Sequence, residues 1–290
     1  MNLPLDAFDL HRPRLFGLAY RMLGVRADAE DVVQDAYLRW HDASRDALAT
    51  PEAWLVTVVT RLAIDRLRVV KREREHYTGP WLPEPLLTDT APSPEWALEL
   101  KSDVGLAFMT VLERLAPEER AALLLREVID CEYAEIATIL GKKPAAVRQL
   151  VSRARKRLDD DAPRRPVAPE DHLRLLDAFA AAALRGDHAA LQALFTSDAM
   201  LVSDGGGKVY ATLRPLYGAE RLARLYQVIA ANQAGSAQYR HAEINGEPAL
   251  LRFIDGHIDS AIVIVADGAR IAAIYNVRNP DKLAALQQYY

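Results

Sequence analysis

The chain has 290 residues, half of them hydrophobic and 26% charged, with a formal net charge of −4. That length exceeds a typical single domain and predicts two or three compact units. A single cysteine, Cys131, excludes an internal disulfide framework and, with no cluster at metal-ligand spacing, predicts no metal or other cofactor and a reducing, cytoplasmic home.

Residues 1–75 read as helices, with few glycines and apolar positions recurring every three or four residues. The opening "MNLPLDAFDLHRPRLF" lacks a basic patch leading into an apolar core, and no apolar run approaches spanning length, so neither export nor a membrane span is expected. In "AEDVVQDAYLRW", residues 29–40, Val32, Val33, Ala36, Tyr37 and Trp40 form an inward stripe. Asp31, Gln34, Asp35 and Leu38 are left on an outward, acidic face suited to a basic partner or simply to water. In the next helix, from residue 51 to 75, Trp54, Leu55, Val58, Leu62 and Leu67 are expected inside, with Arg61, Asp65, Arg68 and Arg72 on another face. Such a face can lie along phosphates, while Asp65 either accepts from a base or closes an intrahelical ion pair with its neighbours.

"HYTGPWLPEPLLTDTAPSPEW" follows, where Pro80, Pro83, Pro85, Pro92 and Pro94 predict an extended linker. Helical periodicity resumes near Glu95 and runs to Leu158. The strongest single signal lies inside it, in "CEYAEIATILGKKPAAVRQLVSRARKRL". Tyr133, Ile136, Ala137 and Leu140 line one helix, Gly141 permits a turn, and Val147, Leu150, Val151, Ala154 and Leu158 line a second, which is a helix-turn-helix pattern. Arg148, Gln149, Ser152, Arg153 and Lys156 stand outside on the second helix, and no acid occurs between Leu140 and Leu158. These donors suit base edges and phosphates in a major groove. Pro144 fits the first helical turn, where its missing N–H would go unpaired anyway.

"DDDAPRRPVAPED" marks the boundary of a third unit. Two helices split by Gly186 and a further helix in "RPLYGAERLARLYQVIAAN" surround strand-like "AMLVSD", "PALLRFID", "HIDSAIVIV" and "ARIAAIYNV", an α+β pattern. "LVSDGGGKVY", residues 201–210, looks like a strand–turn–strand with a charged tip; it lacks the spacing of a phosphate-binding loop.

The order of "AEDVVQDAYLRW", "WLVTVVTRLAIDRLRVVKRERE" and "EYAEIATILGKKPAAVRQLVSRARKRL" resembles the extracytoplasmic-function (ECF) class of bacterial RNA polymerase sigma factors. "WLPEPL", "DGGGK" and "NPDKL" further resemble the subgroup with a fused SnoaL-like C-terminal domain, the SigJ-like group. The resemblance implies a multidomain chain. Residues 1–75 would form the all-α region 2 helical bundle and 76–101 a Pro-rich linker; residues 102–160 would form the region 4 helix-turn-helix, 161–170 a second linker, and 171–290 an α+β SnoaL-like cone. It implies no enzymatic activity. Asp31, Gln34, Asp35 and Leu38 would dock on the clamp helices of the beta-prime subunit of RNA polymerase core. Arg61, Asp65, Arg68 and Arg72 would meet the single-stranded −10 element, and Arg148, Gln149, Ser152, Arg153 and Lys156 the double-stranded −35 promoter DNA.

In this subgroup the fused domain is thought to regulate the factor in cis. The expected contact joins Trp81, Leu82, Pro83, Glu84 and Pro85 to Asp204, Gly205, Gly206, Gly207 and Lys208 and to Asn279, Pro280, Asp281 and Lys282. Glycines allow close backbone approach, Trp81 offers an apolar anchor, and Asn279 and Pro280 fit the first positions of a final helix. Two other functions remain open for the cone: a small-molecule sensor, or an enzyme fused to a DNA-binding module. Asp204, His241, His257 and Asp259 would then supply acid–base chemistry, with Tyr217, Tyr226 or Tyr275 as donors.

Overall fold

The computed structural model describes residues 5–43, 50–88, 93, 95–96, 105–159, 167–233 and 235–290. Two compact units are present, one drawn from 1–76, 91–104 and 108–161, the other from 77–90, 105–107 and 162–290. Most of the expected boundary at 161–170 lies outside the described residues.

The first unit is helical: α1 (Leu5–Leu23), α2 (Arg26–Asp42), α3 (Pro51–Arg74), α4 (Leu106–Leu112), α5 (Pro117–Glu127), α6 (Tyr133–Leu140) and α7 (Pro144–Asp159), with α4 beginning in the other unit's 105–107 segment. α2 buries Val32, Val33, Ala36 and Trp40, as its spacing predicts, while Tyr37 of the expected stripe is only half-buried. α3 buries Leu55, Val56, Val59, Thr60, Ala63, Ile64, Leu67 and Val70, so the expected stripe is turned: Trp54, Val58 and Leu62 are only half-buried. The cause is that α3 packs against α1 and α2 and also against α5, a wider covered face than one neighbour would give.

The end of α3 is tied down by charge. Glu113 accepts from Arg74 (2.5 Å) and from the fully buried Arg120 (2.6 Å), and Lys71 donates to the Glu113 and Leu115 carbonyls. Burial alone would push the Glu113 carboxyl up, but the guanidinia of Arg120 and Arg74 outweigh it and hold it below the usual range.

The second unit is built on a six-stranded mixed sheet in the order β2-β1-β6-β5-β4-β3, from β1 (Phe195–Asp204), β2 (Leu216–Tyr217), β3 (Ala237–Ile244), β4 (Glu247–Ile254), β5 (His257–Asp267) and β6 (Arg270–Val277). β1 and β6 are parallel and the other pairs antiparallel. One face packs on α8 (Pro169–Arg185), α9 (His188–Leu194) and α10 (Ala219–Asn232): Leu176, Phe179, Leu191, Leu222 and Tyr226 meet Leu201, Leu250, Ile262, Ile264 and Ile274. The opposite face buries Val202, Leu251, Phe253, Val263, Tyr275 and Val277 under Leu82, Leu87 and Leu106 and under Leu283 and Leu286 of α11 (Pro280–Gln287). A sheet covered on both sides explains why β5 reads as the unbroken run "AIVIV" rather than as an alternation.

The expected hairpin in "LVSDGGGKVY" is not there. β1 stops at Asp204, Gly206 and Gly207 turn at φ +62° and +71°, and Val209 and Tyr210 belong to no strand. Arg278 holds the Tyr210 carbonyl, which directs this segment along the end of β6 instead of back along β1. Leu216 and Tyr217, expected in a helix, pair with β1; the helix opens only after Gly218 at φ +99°.

Candidate functional site

The helix-turn-helix forms from its local sequence. The Glu135 carboxylate accepts from the Glu132 amide (2.7 Å) to start α6, Gly141 ends it at φ +63°, and Pro144 opens α7. Val147, Leu150, Val151 and Ala154 are buried on one side of α7, and Arg148, Gln149, Ser152, Arg153 and Lys156 are all exposed on the other. That face is acid-free only in sequence. Glu119 of α5 meets Arg153 (3.1 Å) and Arg157 (2.5 Å), Glu127 meets Arg155 (2.5 Å), and Glu118 meets Lys142 (2.8 Å). Burial would push the Glu119 carboxyl up, but the Ala116 amide and the two arginines hold it down. Arg148 lies over the Tyr133 ring at 5.4 Å, and among the described residues neither Arg148 nor Lys156 has an ion pair.

On α2, Asp31, Gln34, Asp35 and Leu38 share an exposed face, with Leu38 52% exposed, uncommon for a leucine of its size. On α3, Arg61, Asp65, Arg68 and Arg72 are exposed, but three of them have internal partners. Arg61 donates to the Ile139 and Thr138 carbonyls (3.0 and 3.3 Å), where a cation meets the negative end of α6. Arg68 bridges Asp65 (2.9 Å) and Glu118 (3.1 Å). Of the basic run through Arg74, Arg66 is used by Asp28 (2.6 Å) and Arg74 by Glu113, which leaves Arg72 as an arginine of this face without an ion pair among the described residues.

The second unit assembles a charged junction on the Asp204 carboxylate, which is fully buried. Asp204 accepts from the Tyr77 hydroxyl (2.5 Å), the Leu82 amide (2.9 Å), the Gly206 amide (3.0 Å) and the Lys282 ammonium (2.6 Å). Lys282, 8% exposed, also donates to the Leu82 carbonyl, and its ammonium lies 4.0 Å from the centre of the Trp81 ring. The Asn279 side chain donates to the Tyr77 hydroxyl (2.9 Å) and accepts from the Asp281 amide (3.1 Å), capping α11 ahead of Pro280. Burial, then the neighbouring Asp204, pushes the Tyr77 phenol up, so it stays a neutral donor.

The apolar anchor expected of Trp81 is supplied by its neighbour. Leu82 is fully buried with Pro83, Pro85, Leu86 and Leu87, whereas Trp81 is half-buried and covers a cation; Glu84 is half-buried too. Gly206 is needed where it stands, since at φ +62° a Cβ there would also lie 2.5 Å from the Asn279 side-chain Nδ2. Gly205 and Gly207 continue the same turn, with Gly207 against Thr78, and Lys208 pairs with Asp281 (2.5 Å) at the surface. Sequence reasoning missed Tyr77, and also a second attachment in which the Leu86 amide donates to the Asn245 side chain (2.9 Å) while the Asn245 amide donates to the Leu86 carbonyl (2.9 Å). The signal available was "ING" at the β3–β4 turn, where Asn245 sits at φ +52°.

The acid–base candidates are scattered. Asp204 is in the junction just described, His241 pairs with Asp177 (2.7 Å) at the surface, His257 is exposed, and Tyr275 is buried on the sheet face opposite Tyr226. Tyr217 is 55% exposed. Burial would raise the Asp259 carboxyl, but Arg252 and Arg278 hold it down as an ion-paired anion, unsuited to take a proton.

A helical unit bearing a complete helix-turn-helix and a second exposed arginine face defines a DNA-binding protein. Sigma-70 region 2 matches residues 7–73 and Sigma-70 region 4 matches residues 105–158. SigJ of Mycobacterium tuberculosis is 37% identical, over 96% of this chain and 92% of that protein. SigI of the same organism is 28% identical, over 97% and 95%. The crystal structure of M. tuberculosis SigJ superposes with a TM-score of 0.77 at 34% identity, covering 97% of this chain and 98% of that one. The chain belongs to the ECF RNA polymerase sigma factors, with the all-α region 2 and region 4 folds and the C-terminal α+β part that SigJ has. Proteins of this family work with RNA polymerase core and promoter DNA. Among the described residues no helix is long and apolar enough to cross a membrane.

Proposed function

We propose that this sigma factor is controlled in cis by its own C-terminal unit, through the grip of Asp204 and Lys282 on the 77–88 segment. The observation that carries the reading is the buried Asp204 carboxylate with its four donors, two of which, Tyr77 and the Leu82 amide, come from the segment between the two sigma regions. A connecting segment held as part of a folded core has fixed length and direction, and so sets how far regions 2 and 4 can be placed from each other on a promoter.

The exposed α2 face of Asp31, Gln34, Asp35 and Leu38 suits the clamp helices of the polymerase beta-prime subunit, with Leu38 as an apolar contact in an acidic field. Arg148, Gln149, Ser152, Arg153 and Lys156 would enter the −35 major groove, and Arg61, Asp65, Arg68 and Arg72 would meet the separated −10 strand. Arg61, Arg68 and Arg153 must exchange their internal acceptors for phosphate or base to do so. The cavity lined by Leu201, Tyr226, Arg252 and Arg278 supports reading the cone of the second unit as a small-molecule site, a further input to the same device.

Transcription with purified polymerase core tests the proposal, comparing the full chain, a chain truncated near residue 160, and Asp204→Asn. Core-dependent initiation altered by both changes is expected. Initiation identical in all three would overturn control in cis.

A further inference from the structure

Behind the Tyr210–Thr212 segment the second unit encloses a cavity of about 420 Å³, the size of a pocket for a small organic ligand. Its body is apolar, walled by Leu201, Leu225, Val228, Ile229 and Ile262. Among its polar residues are Tyr226, Ser260, Asn276, Arg252 and Arg278, and Gln233, also in the lining, accepts from Arg252 (3.1 Å).

Two features of the polar residues point to a ligand. The first is charge. No lining residue is acidic, and the two lining guanidinia share a single carboxylate behind them: Asp259 accepts from Arg252 and, at 2.7 Å, from Arg278. One positive charge is left over in a largely buried site, since Arg252 is 4% exposed. The second is unused hydrogen-bonding capacity. The Tyr226 and Ser260 hydroxyls have no partner although the residues are 2% and 0% exposed, and the Arg278 Nε and the Asn276 side-chain oxygen are likewise buried and unpaired. A buried polar group is costly unless a partner is supplied. Arg278 spends its other two nitrogens on Asp259 and the Tyr210 carbonyl, which fixes the guanidinium in place. Burial also holds the Tyr226 phenol in its neutral, donating form.

We infer that the cone is a binding site for a small amphipathic monoanion, an apolar or aromatic body carrying one carboxylate. The carboxylate takes the Arg278 Nε with the Tyr226 and Ser260 hydroxyls, and the body fills the apolar part. A cation would meet the surplus positive charge, and a fully apolar ligand would leave the donors unpaired. This rests on reading the cone as a small-molecule site and adds the chemistry that the site selects.

The test is calorimetric titration of the full chain with benzoate, 2-naphthoate, octanoate and decanoate, each beside its matching primary alcohol. At least one acid is expected to saturate at one equivalent and to bind about tenfold or more tighter than its alcohol, the effect of a charge-assisted hydrogen bond. Arg278→Gln brings that ratio close to one. Val228→Trp, at a half-exposed position in the cavity wall, removes binding of the acid without touching a polar group. It serves as the second probe where Arg278→Gln disturbs folding by circular dichroism. Acid and alcohol binding equally, and both lost in Val228→Trp, would overturn the anion assignment while the cone stays a ligand site. No saturable binding by any acid, or acid binding unaffected by Val228→Trp, would overturn both. Neither outcome bears on the Asp204 grip, which the transcription assay tests alone.

Discussion

Asp204→Ala removes the acceptor shared by Tyr77, the Leu82 amide and Lys282, and the cost can be worked from burial. Asp204 is 0% exposed and Lys282 8%, so the substitution strands a buried ammonium beside one carbonyl and two aromatic faces. Breaking a buried pair in this way costs about 3–5 kcal/mol, and an orphaned amide such as that of Leu82 is part of the same loss. At about 1.4 kcal/mol per factor of ten, this is a drop of ~10² to several times 10³ in the ratio of held to released segment. Hydrogen exchange reads it by residue. Protection of the Leu82 amide should fall by about that factor, while amides of β5 and β6, whose partners are other strands, keep theirs. Adding Lys282→Met to Asp204→Ala should recover part of the loss, because no unpaired charge then remains. Leu82 protection within tenfold of the wild type would refute the reasoning. So would an equal loss across β5 and β6, which would mean that the whole unit had opened.

Asn245→Ala deletes the acceptor of the Leu86 amide and should cost about 1–3 kcal/mol by urea unfolding, with faster exchange at Leu86. Gly206→Ala forces a Cβ against the Asn279 side chain at φ +62°; a loss of about 1–3 kcal/mol and release of the Tyr77–Asn279 bond are expected, visible in the Tyr77 ring signals. Burial pushes the Glu247 carboxyl up to about 7. Its folded state therefore binds the proton more tightly than the unfolded chain, and its contribution is full below the unfolded value, near 4.5, and lost as pH rises through 7. Glu247→Gln should stabilise the protein at pH 8 by up to ~3 kcal/mol and make no difference at pH 4, checked by urea midpoints at both. Lys156→Ala should weaken −35 DNA binding about equally across sequences and lower the salt slope by about one.

How far the sequence led depended on whether a contact was local. The helix-turn-helix was legible because Ile136, Ala137, Gly141, Val147 and Val151 all lie within one short stretch whose spacing encodes its own seam. The Asn279–Pro280 cap was legible for the same reason. β3 was not, since "AQYRHAEI" is an edge strand with a polar outer row and lacks the apolar run that betrays β4 and β5. The acidic partners Glu118, Glu119 and Glu127 were hidden because they precede their basic partners by 24 to 38 residues, and only the packing of α5 on α7 brings them together. Tyr77 escaped for a related reason. Its partner Asp204 is 127 residues away, and nothing in "HYTGP" marks its tyrosine as the one that reaches a buried carboxylate.

The junction and the cone are linked by the pleat of the sheet. Successive residues of a strand point to opposite faces, so at the end of β1 Leu201 and Ser203 line the cone while Val202 and Asp204 face the side that holds Leu82. The same alternation holds on β6 and just beyond it, where Asn276 and Arg278 belong to the cone, Val277 to the opposite core, and Asn279 to the junction. The two sites are thus neighbouring residues of the same two strand ends, about 3.4 Å apart along the chain, with the Asp204 carbonyl accepting from both the Arg278 and Asn279 amides (2.7 and 2.8 Å). A shift of the Arg278 backbone therefore moves the amides that fix the backbone of Asp204. Release of the segment is a different matter, because it uncovers Leu82, Leu86 and Leu87 and strips the sheet of part of its second face. A partner that favours the released form must therefore bind it more tightly than the held form by a comparable free energy, since binding both equally would shift nothing.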